Sequence, residues 1–342
     1  MTFDTARSVT DMIFQSPSPA IKIEFQGGEP LINWPVIKFI IEYAEEKNNF
    51  HKKRLDFVIC TNLTRMTEDI LIYLREHNVS ISTSLDGPKE LHDKHRVCRD
   101  GSSAFDAFKE KLKIVRTTMG PHSCSPLLTV TRDNLFKLTD VVDQYLAMGF
   151  TGIFVRALNP YGMAQSKWDI LGYSMEEFIL AYKHILNYIL DLNKNGIFFK
   201  EYYATLLLSR ILTPFSTGFV DLQSPSGAGI SGVIYDYNGN VYPSDESRML
   251  ARVGDETFYL GNTNRDKYHD IFCGEKIFNM ASKSCIETLP GCAWCAYQTY
   301  CGVDSIRYYV ESGDLIGHRP TSNFCKKHIN LFDYIFTLLR DE

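Results

Sequence analysis

No cysteine precedes Cys60, no apolar run approaches the roughly 18 residues of a membrane span, and no stretch concentrates positive charge. Each absence removes a class of function. The opening "MTFDTARSVTDMIFQ" mixes charges with isolated apolar positions and lacks the apolar region of a signal peptide, so the chain is expected to be cytoplasmic, without a membrane partner. Lys and Arg (36) are outnumbered by Asp and Glu (41) and stand singly among them, for a net charge of −5. A nucleic-acid backbone calls for a basic stripe, so nucleic acid is not an expected partner. Repeats of solenoid length and low-complexity tracts are also missing.

What is present is an ordinary globular composition. The 342 residues are 44% hydrophobic and 13% aromatic, enough to bury a full core and to form two domains or a barrel with an appendage. From residue 20 to about 160, short β-rich runs alternate with helical patterns: "IKIEFQ" then "VIKFIIEYAEE", "LDFVICTN" then "TEDILIYLREH", "VSISTSLD" then "SAFDAFKEKLKIVRTT", "SPLLTVT" then "LFKLTDVVDQYLAMG", and finally "GIFVRAL". The strands read as near-continuous apolar runs rather than strict alternators, which suits a parallel sheet covered by helices. Repeated βα units imply an α/β barrel or a doubly wound sheet. A barrel is favoured, because "QGGEP", "TNLT", "SLDGP", "TRDN" and "RALNP" each follow a strand C-terminus, where barrel sites assemble, instead of gathering at one switch point.

Residues 170 to 212 read as long helices, with Gly196 as a C-cap. The texture then turns rich in Gly, Ser and Pro, and "YDYNGNVYP" places two β-type runs around Asn-Gly, a strong hairpin signal. The expected domains are therefore 1–213 and 214–342. Cysteine supports a separate C-terminal module: six of the nine, Cys273, Cys285, Cys292, Cys295, Cys301 and Cys325, lie there. Within "GCAWCAYQTYC", Cys292, Cys295 and Cys301 stand as Cx2Cx5C, with Cys325 following after twenty-three intervening residues. Thiolates gathered by short loops in a reducing compartment suit an iron–sulfur cluster or tetrahedral zinc. Cys60, Cys98 and Cys124 are scattered and read as buried or incidental thiols.

"FQGGEP" ends a strand in Gly27-Gly28, exposing backbone without a Cβ, adds the Glu29 carboxylate, and starts a helix at Pro30. Such an edge can receive an ammonium group; it can also be only a tight strand-to-helix turn. Together with "SLDGPKELHDKHR" and the terminal "CAWC", it resembles the radical S-adenosylmethionine (SAM) enzymes with a SPASM or twitch extension, which include anaerobic sulfatase maturases and peptide maturases. The resemblance runs over nearly the whole chain. It implies an α/β fold, a partial (β/α)6 TIM-like radical SAM barrel missing its first strand, joined to a small α+β SPASM/twitch-like C-terminal domain.

For the site, the resemblance implies that Gly27, Gly28 and Glu29 receive the amino group of S-adenosylmethionine, that Ser84 and Arg96 hold its carboxylate and ribose, and that Val155 and Ala157 meet the adenine. Cys292, Cys295, Cys301 and Cys325 would hold one auxiliary [4Fe–4S] cluster, with Cys285 as a substitute ligand. A second auxiliary cluster would need cysteines where this chain has Ser244 and Ser305. Asp245, in "YPSDESR", would be the base of the family's oxidation; alternatively it is a hairpin-end aspartate bonded to backbone or to Arg248. Phrases such as "SPSPAIKIEFQGGEPL", "VDLQSPSGAGISGVIYDYNGNVYPSDESRML" and "GHRPTSNFC" are most similar to the maturases of His-Xaa-Ser systems. The implied partners are a substrate peptide or protein from the same gene neighbourhood and a second radical SAM protein. Sulfatase maturation is the competing activity, and a catalytically inactive peptide-binding scaffold is the non-enzymatic alternative.

One departure cuts across all of this. The family's catalytic [4Fe–4S] cluster sits on a CxxxCxxC loop upstream of GGEP, and this sequence has none. The expectation is that the chain begins late and, as written, does not generate the 5′-deoxyadenosyl radical.

Overall fold

The computed structural model describes residues 1–341. Packing divides the chain into two units, Met1–Ala157 with Leu192–Lys200, and Leu158–Asp191 with Glu201–Glu342. The texture change at residue 214 falls later than this division, and most of the helical stretch ahead of it belongs to the second unit.

In the first unit, α1 (Phe3–Ile13) precedes β1 (Ala20–Phe25), α2 (Trp34–His51), β2 (Arg54–Cys60), α3 (Glu68–Glu76), β3 (Val79–Ser84), α4 (Lys89–His95), α5 (Ala104–Met119), β4 (Cys124–Leu127), α6 (Leu138–Ala147) and β5 (Gly152–Ile153). Local chemistry sets the helix starts: Thr2, Thr67 and Ser103 each accept a backbone N–H from the first turn of α1, α3 and α5. Strands β1 to β4 form one parallel sheet in sequence order. Phe25 pairs with Ile59, Cys60 with Ser82, and Ser84 with Leu127, so the strand C-termini share one edge.

The strands correct one expectation. They are one-faced alternators rather than continuous apolar runs. Ile21, Ile23 and Phe25 of β1, Phe57 and Ile59 of β2, and Val79 and Ile81 of β3 are buried, while Lys22, Glu24, Asp56 and Ser80 are exposed and Ser82 and Ser84 half-buried. The physical reason is that one face supplies the core with Ile37, Ile40 and Ile41 of α2, Leu71 and Leu74 of α3 and Phe108 and Leu112 of α5. The other face carries polar side chains that need water or a ligand. Burying one such aliphatic or aromatic side chain contributes about 1.5–3 kcal/mol, which pins the register, because a one-residue slip would exchange the two faces.

The second unit begins with α7 (Met163–Ser166), α8 (Trp168–Leu171) and α9 (Met175–Lys194), whose last three residues fall to the first unit and whose end is followed by Gly196 at φ +81°. After β6 (Lys200–Glu201) and α10 (Tyr202–Leu212) come β7 (Ile234–Tyr235), β8 (Asn240–Tyr242), α11 (Asp245–Arg252) and β9 (Gly261–Asn262). Strands β7 to β9 form an antiparallel sheet. Gly239, at φ +87°, turns the first hairpin at the expected Asn-Gly. Then follow α12 (Tyr268–Phe272), α13 (Glu275–Ser282), α14 (Ser305–Ser312) and α15 (Asn323–Asp341). No helix among the described residues is long and apolar enough to cross a membrane.

Candidate functional site

At the C-terminal edge of the parallel sheet, Glu29 is a brace. Its Oε1 accepts from Leu31 N at 3.1 Å and from Thr61 Oγ1 at 2.7 Å, and its Oε2 accepts from Asn62 N at 3.0 Å. The loop after β1 is thereby tied to the loop after β2. The glycines beside it are open: a Cβ added at Gly27 or Gly28 would meet nothing within 4 Å. Gly27 needs its freedom for φ +148°, whereas Gly28 is not in the left-handed region. Both glycines are exposed, so their backbone is open to the surroundings beside a carboxylate that is already occupied.

The next strand end is built around Asp86, which is almost fully buried. Its Oδ2 accepts from Arg96 Nε at 2.6 Å and its Oδ1 from Thr129 N at 3.0 Å. Asn134 Nδ2 donates to Asp86 O, and Tyr145 OH donates to Leu85 O at 2.7 Å. Arg96, about a third exposed, is thus steered by Asp86 toward the same edge. Ser84 ends β3 half-buried, with no side-chain hydrogen bond among the described residues. Val155 is fully buried and Ala157 nearly so, as core residues after β5 would be.

The exposed backbone of Gly27 and Gly28 and the polar side chains of Ser84 and Arg96 thus follow neighbouring strand ends of the parallel sheet. They do not fit a catalytic iron–sulfur cluster. The segment ahead of β1 is helix α1, and no cysteine precedes Cys60. Burial and the Glu24 charge push the Cys60 thiol up to about 12, and burial pushes Cys124 to about 12, so both are protonated thiols at neutral pH.

The second unit gathers the other thiols. Cys292 and Cys301 lie against a core of Ile286, Leu289, Val303, Tyr308 and Phe324, and Cys325 sits in the first turn of α15. Burial drives the Cys301 thiol up to about 12, with Cys292, Cys325 and Cys295 as further charge neighbours. Burial, then Cys292, raises Cys325, and the Arg319 guanidinium opposes this. Cys292, Cys295 and Cys325 are thus all charge neighbours of Cys301. Cys285 is not among them: its thiol is bonded to Glu287 at 3.4 Å, and Glu287 is its charged neighbour.

Among the described residues, no three His, Cys, Asp or Glu side chains are arranged to hold a single metal ion. A zinc ion bound at about 2.3 Å would draw its sulfurs to about 3.8 Å from one another.

Asp245 opens α11, where Arg248 donates to its Oδ1 from Nε at 2.9 Å and from Nη2 at 2.6 Å. Ser244 is the N-cap of that helix: its Oγ accepts from Ser247 N at 3.3 Å while Ser247 Oγ accepts from Ser244 N at 3.0 Å. Ser305 is buried, with its hydroxyl unpartnered among the described residues. Sequence reasoning had not singled out Asp86, Thr61 or Arg319. Asp86 stands inside the quoted "SLDGP" and Thr61 inside "TNLT", so their strand-end positions were a usable signal.

Residues 6–143 match the family model described as the Radical SAM superfamily. The whole chain has the fold of native anSMEcpe with bound AdoMet and a peptide, with a TM-score of 0.83 at 18% identity over 100% of this chain and 90% of that one. It is 24% identical over 297 residues to a cysteine-type anaerobic sulfatase-maturating enzyme of Clostridium novyi, covering 80% of this chain and 75% of that protein. An uncharacterised protein of Methanocaldococcus jannaschii is 30% identical over 161 residues, 47% of this chain and 54% of its own length. The chain spans about half the length of the first curated relatives it matches.

Proposed function

We propose that this chain is a radical SAM maturase of a partner peptide, of the HxsB type that serves His-Xaa-Ser systems. Its first unit is then part of a (β/α)6-type radical SAM barrel and its second a SPASM/twitch-like domain with one auxiliary [4Fe–4S] cluster. The observation that carries the reading is the open Gly27–Gly28 edge, braced by Glu29 across β1 and β2. The superfamily match over residues 6–143 covers that edge. S-adenosylmethionine held there would supply the radical chemistry, hydrogen removal from a peptide side chain, only together with a reduced catalytic cluster.

This chain's residues do the holding. Gly27 and Gly28 present backbone to the amino group, Arg96 and Ser84 meet the polar end, and Val155 and Ala157 flank the adenine. Asp245 is the proposed proton acceptor of the oxidation.

Gly28→Val provides the test. The backbone there tolerates a side chain and nothing stands in its way, so the variant is expected to fold with stability within about 0.5 kcal/mol of the parent. It is expected to lose S-adenosylmethionine binding by calorimetry. Binding unchanged in a folded variant overturns the reading.

Sulfatase maturation is the second reading, favoured by the likeness to the Clostridium novyi enzyme and opposed by Ser244 and Ser305. Binding of a sulfatase-derived cysteine peptide in preference to a His-Xaa-Ser repeat peptide would select it.

A further inference from the structure

We propose that Arg319 sets the electron affinity of the iron–sulfur centre held by Cys292, Cys295, Cys301 and Cys325; this rests on the auxiliary-cluster reading above. Arg319 opens the short turn Arg319–Thr321 that leads into α15 and Cys325. Its Nε donates to Cys292 Sγ at 2.9 Å, its Nη1 donates to Ile316 O at 2.7 Å, and its guanidinium lies 4.3 Å from the centroid of the Tyr308 ring. The residue is only 8% exposed. Its place is prepared by the loop that carries Cys292: Gly291, at φ +77°, has room for no Cβ without pressing on Arg319 Cγ at 3.3 Å.

Two features of this arginine remain unexplained by protein contacts. Nη2 is buried without a hydrogen-bond partner among the described residues, and the bonds its other nitrogens make, to Cys292 Sγ and Ile316 O, include no carboxylate. Both states are unfavourable for a buried cation. Nε and Nη2 are donors on one edge of a rigid planar fork, and one of them already meets a cysteine sulfur. A cluster bound by four thiolates is a net anion, so it supplies the counter-charge that the surrounding protein does not.

Hydrogen bonds to ligand sulfur and fixed positive charge favour the more electron-rich state of such a cluster. The couple concerned is a one-electron reduction: the oxidised cluster takes one electron from a low-potential one-electron donor, and no proton is bound. Arg319 makes that uptake easier. It acts through Cys292 and is a positioning residue.

The test compares the full chain, Arg319→Gln and Arg319→Lys after anaerobic reconstitution with iron and sulfide, reading iron content and the midpoint potential by EPR-monitored titration with dithionite. Arg319→Gln is expected to hold iron as the parent does and to shift at least 59 mV more negative, a tenfold change in the reduced-to-oxidised ratio for one electron. Arg319→Lys keeps the charge without the fork and is expected to shift less, in the same direction; it also serves if the glutamine variant fails to fold. Normal iron with an unchanged potential in whichever variant folds overturns the role of Arg319 alone. A parent chain that takes up stoichiometric zinc and no iron overturns the auxiliary cluster, and the Arg319 assignment with it.

Discussion

Glu29 and Asn62 are joined across two strand ends, Oε2 to backbone N–H at 3.0 Å, with the other carboxylate oxygen held by Thr61 and Leu31. The carboxylate is therefore committed to shaping the loop, and the backbone of Gly27 and Gly28 is the surface left for a ligand. Glu29→Ala removes the acceptor for three donors and is expected to destabilise the chain by about 1–3 kcal/mol. S-adenosylmethionine affinity should fall at least tenfold with it. Glu29→Gln keeps one acceptor oxygen and should fall between parent and alanine in both denaturant unfolding and calorimetry.

Arg96 and Gly28 should separate in their effects. Arg96 compensates a buried Asp86 carboxylate at 2.6 Å, so Arg96→Met leaves that charge with only the Thr129 N–H and the surrounding dipoles. Because Arg96 is about a third exposed, solvent screening limits the loss to about 1–2 kcal/mol. Arg96→Met is expected to lower the thermal midpoint and the affinity together. Gly28→Val should lower only the affinity. A fully stable Arg96→Met that binds normally would remove Arg96 from the site.

The parts of this molecule that could be read in advance are those in which local sequence decides local geometry. "QGGEP", "TNLT" and "SLDGP" follow β1, β2 and β3, and Gly239 turns the hairpin that Asn-Gly promised. The one-faced strands were in plain view, since Lys22, Glu24, Ser80 and Ser82 interrupt the apolar residues at every second position. Long-range ties were not legible. Arg319 reaches Cys292 across 27 residues, and Glu29 reaches Asn62 across 33, with no periodic pattern to announce either. The division near residue 158 was hidden for a similar reason, because packing partners of helices α9 and α10 leave no mark in composition.

Ser244 offers a direct measurement on the second unit. Its hydroxyl and that of Ser247 satisfy each other's backbone N–H groups at the start of α11, next to Asp245. Ser244→Ala is expected to cost about 1 kcal/mol, the usual loss for an N-cap, seen as a lower unfolding midpoint. Asp245→Asn breaks only a partly exposed pair with Arg248, worth about 0.5 kcal/mol or less, so its stability should hardly change. A large loss from Asp245→Asn would mark the aspartate as structural and argue against its role as a base.

Asp304 should make stability depend on pH. It caps α14 by accepting from Arg307 N at 3.0 Å, and burial, with Asp221 and Glu246 as like-charged neighbours, pushes its carboxyl up to about 7. A carboxyl raised in the folded state favours folding when protonated. Its contribution is full below the ordinary value of 3.8 and is lost as pH rises through about 7. Tyr161, whose buried hydroxyl has no partner among the described residues, feels the same charges, and the Arg307 guanidinium opposes them at both groups without cancelling them. Asp304→Asn keeps a capping oxygen and removes the titration. The variant should show a flatter profile of unfolding midpoint against pH between about 4 and 7 than the parent. Parallel profiles for the two proteins would mean that Asp304 ionises in the folded chain as freely as in the unfolded one.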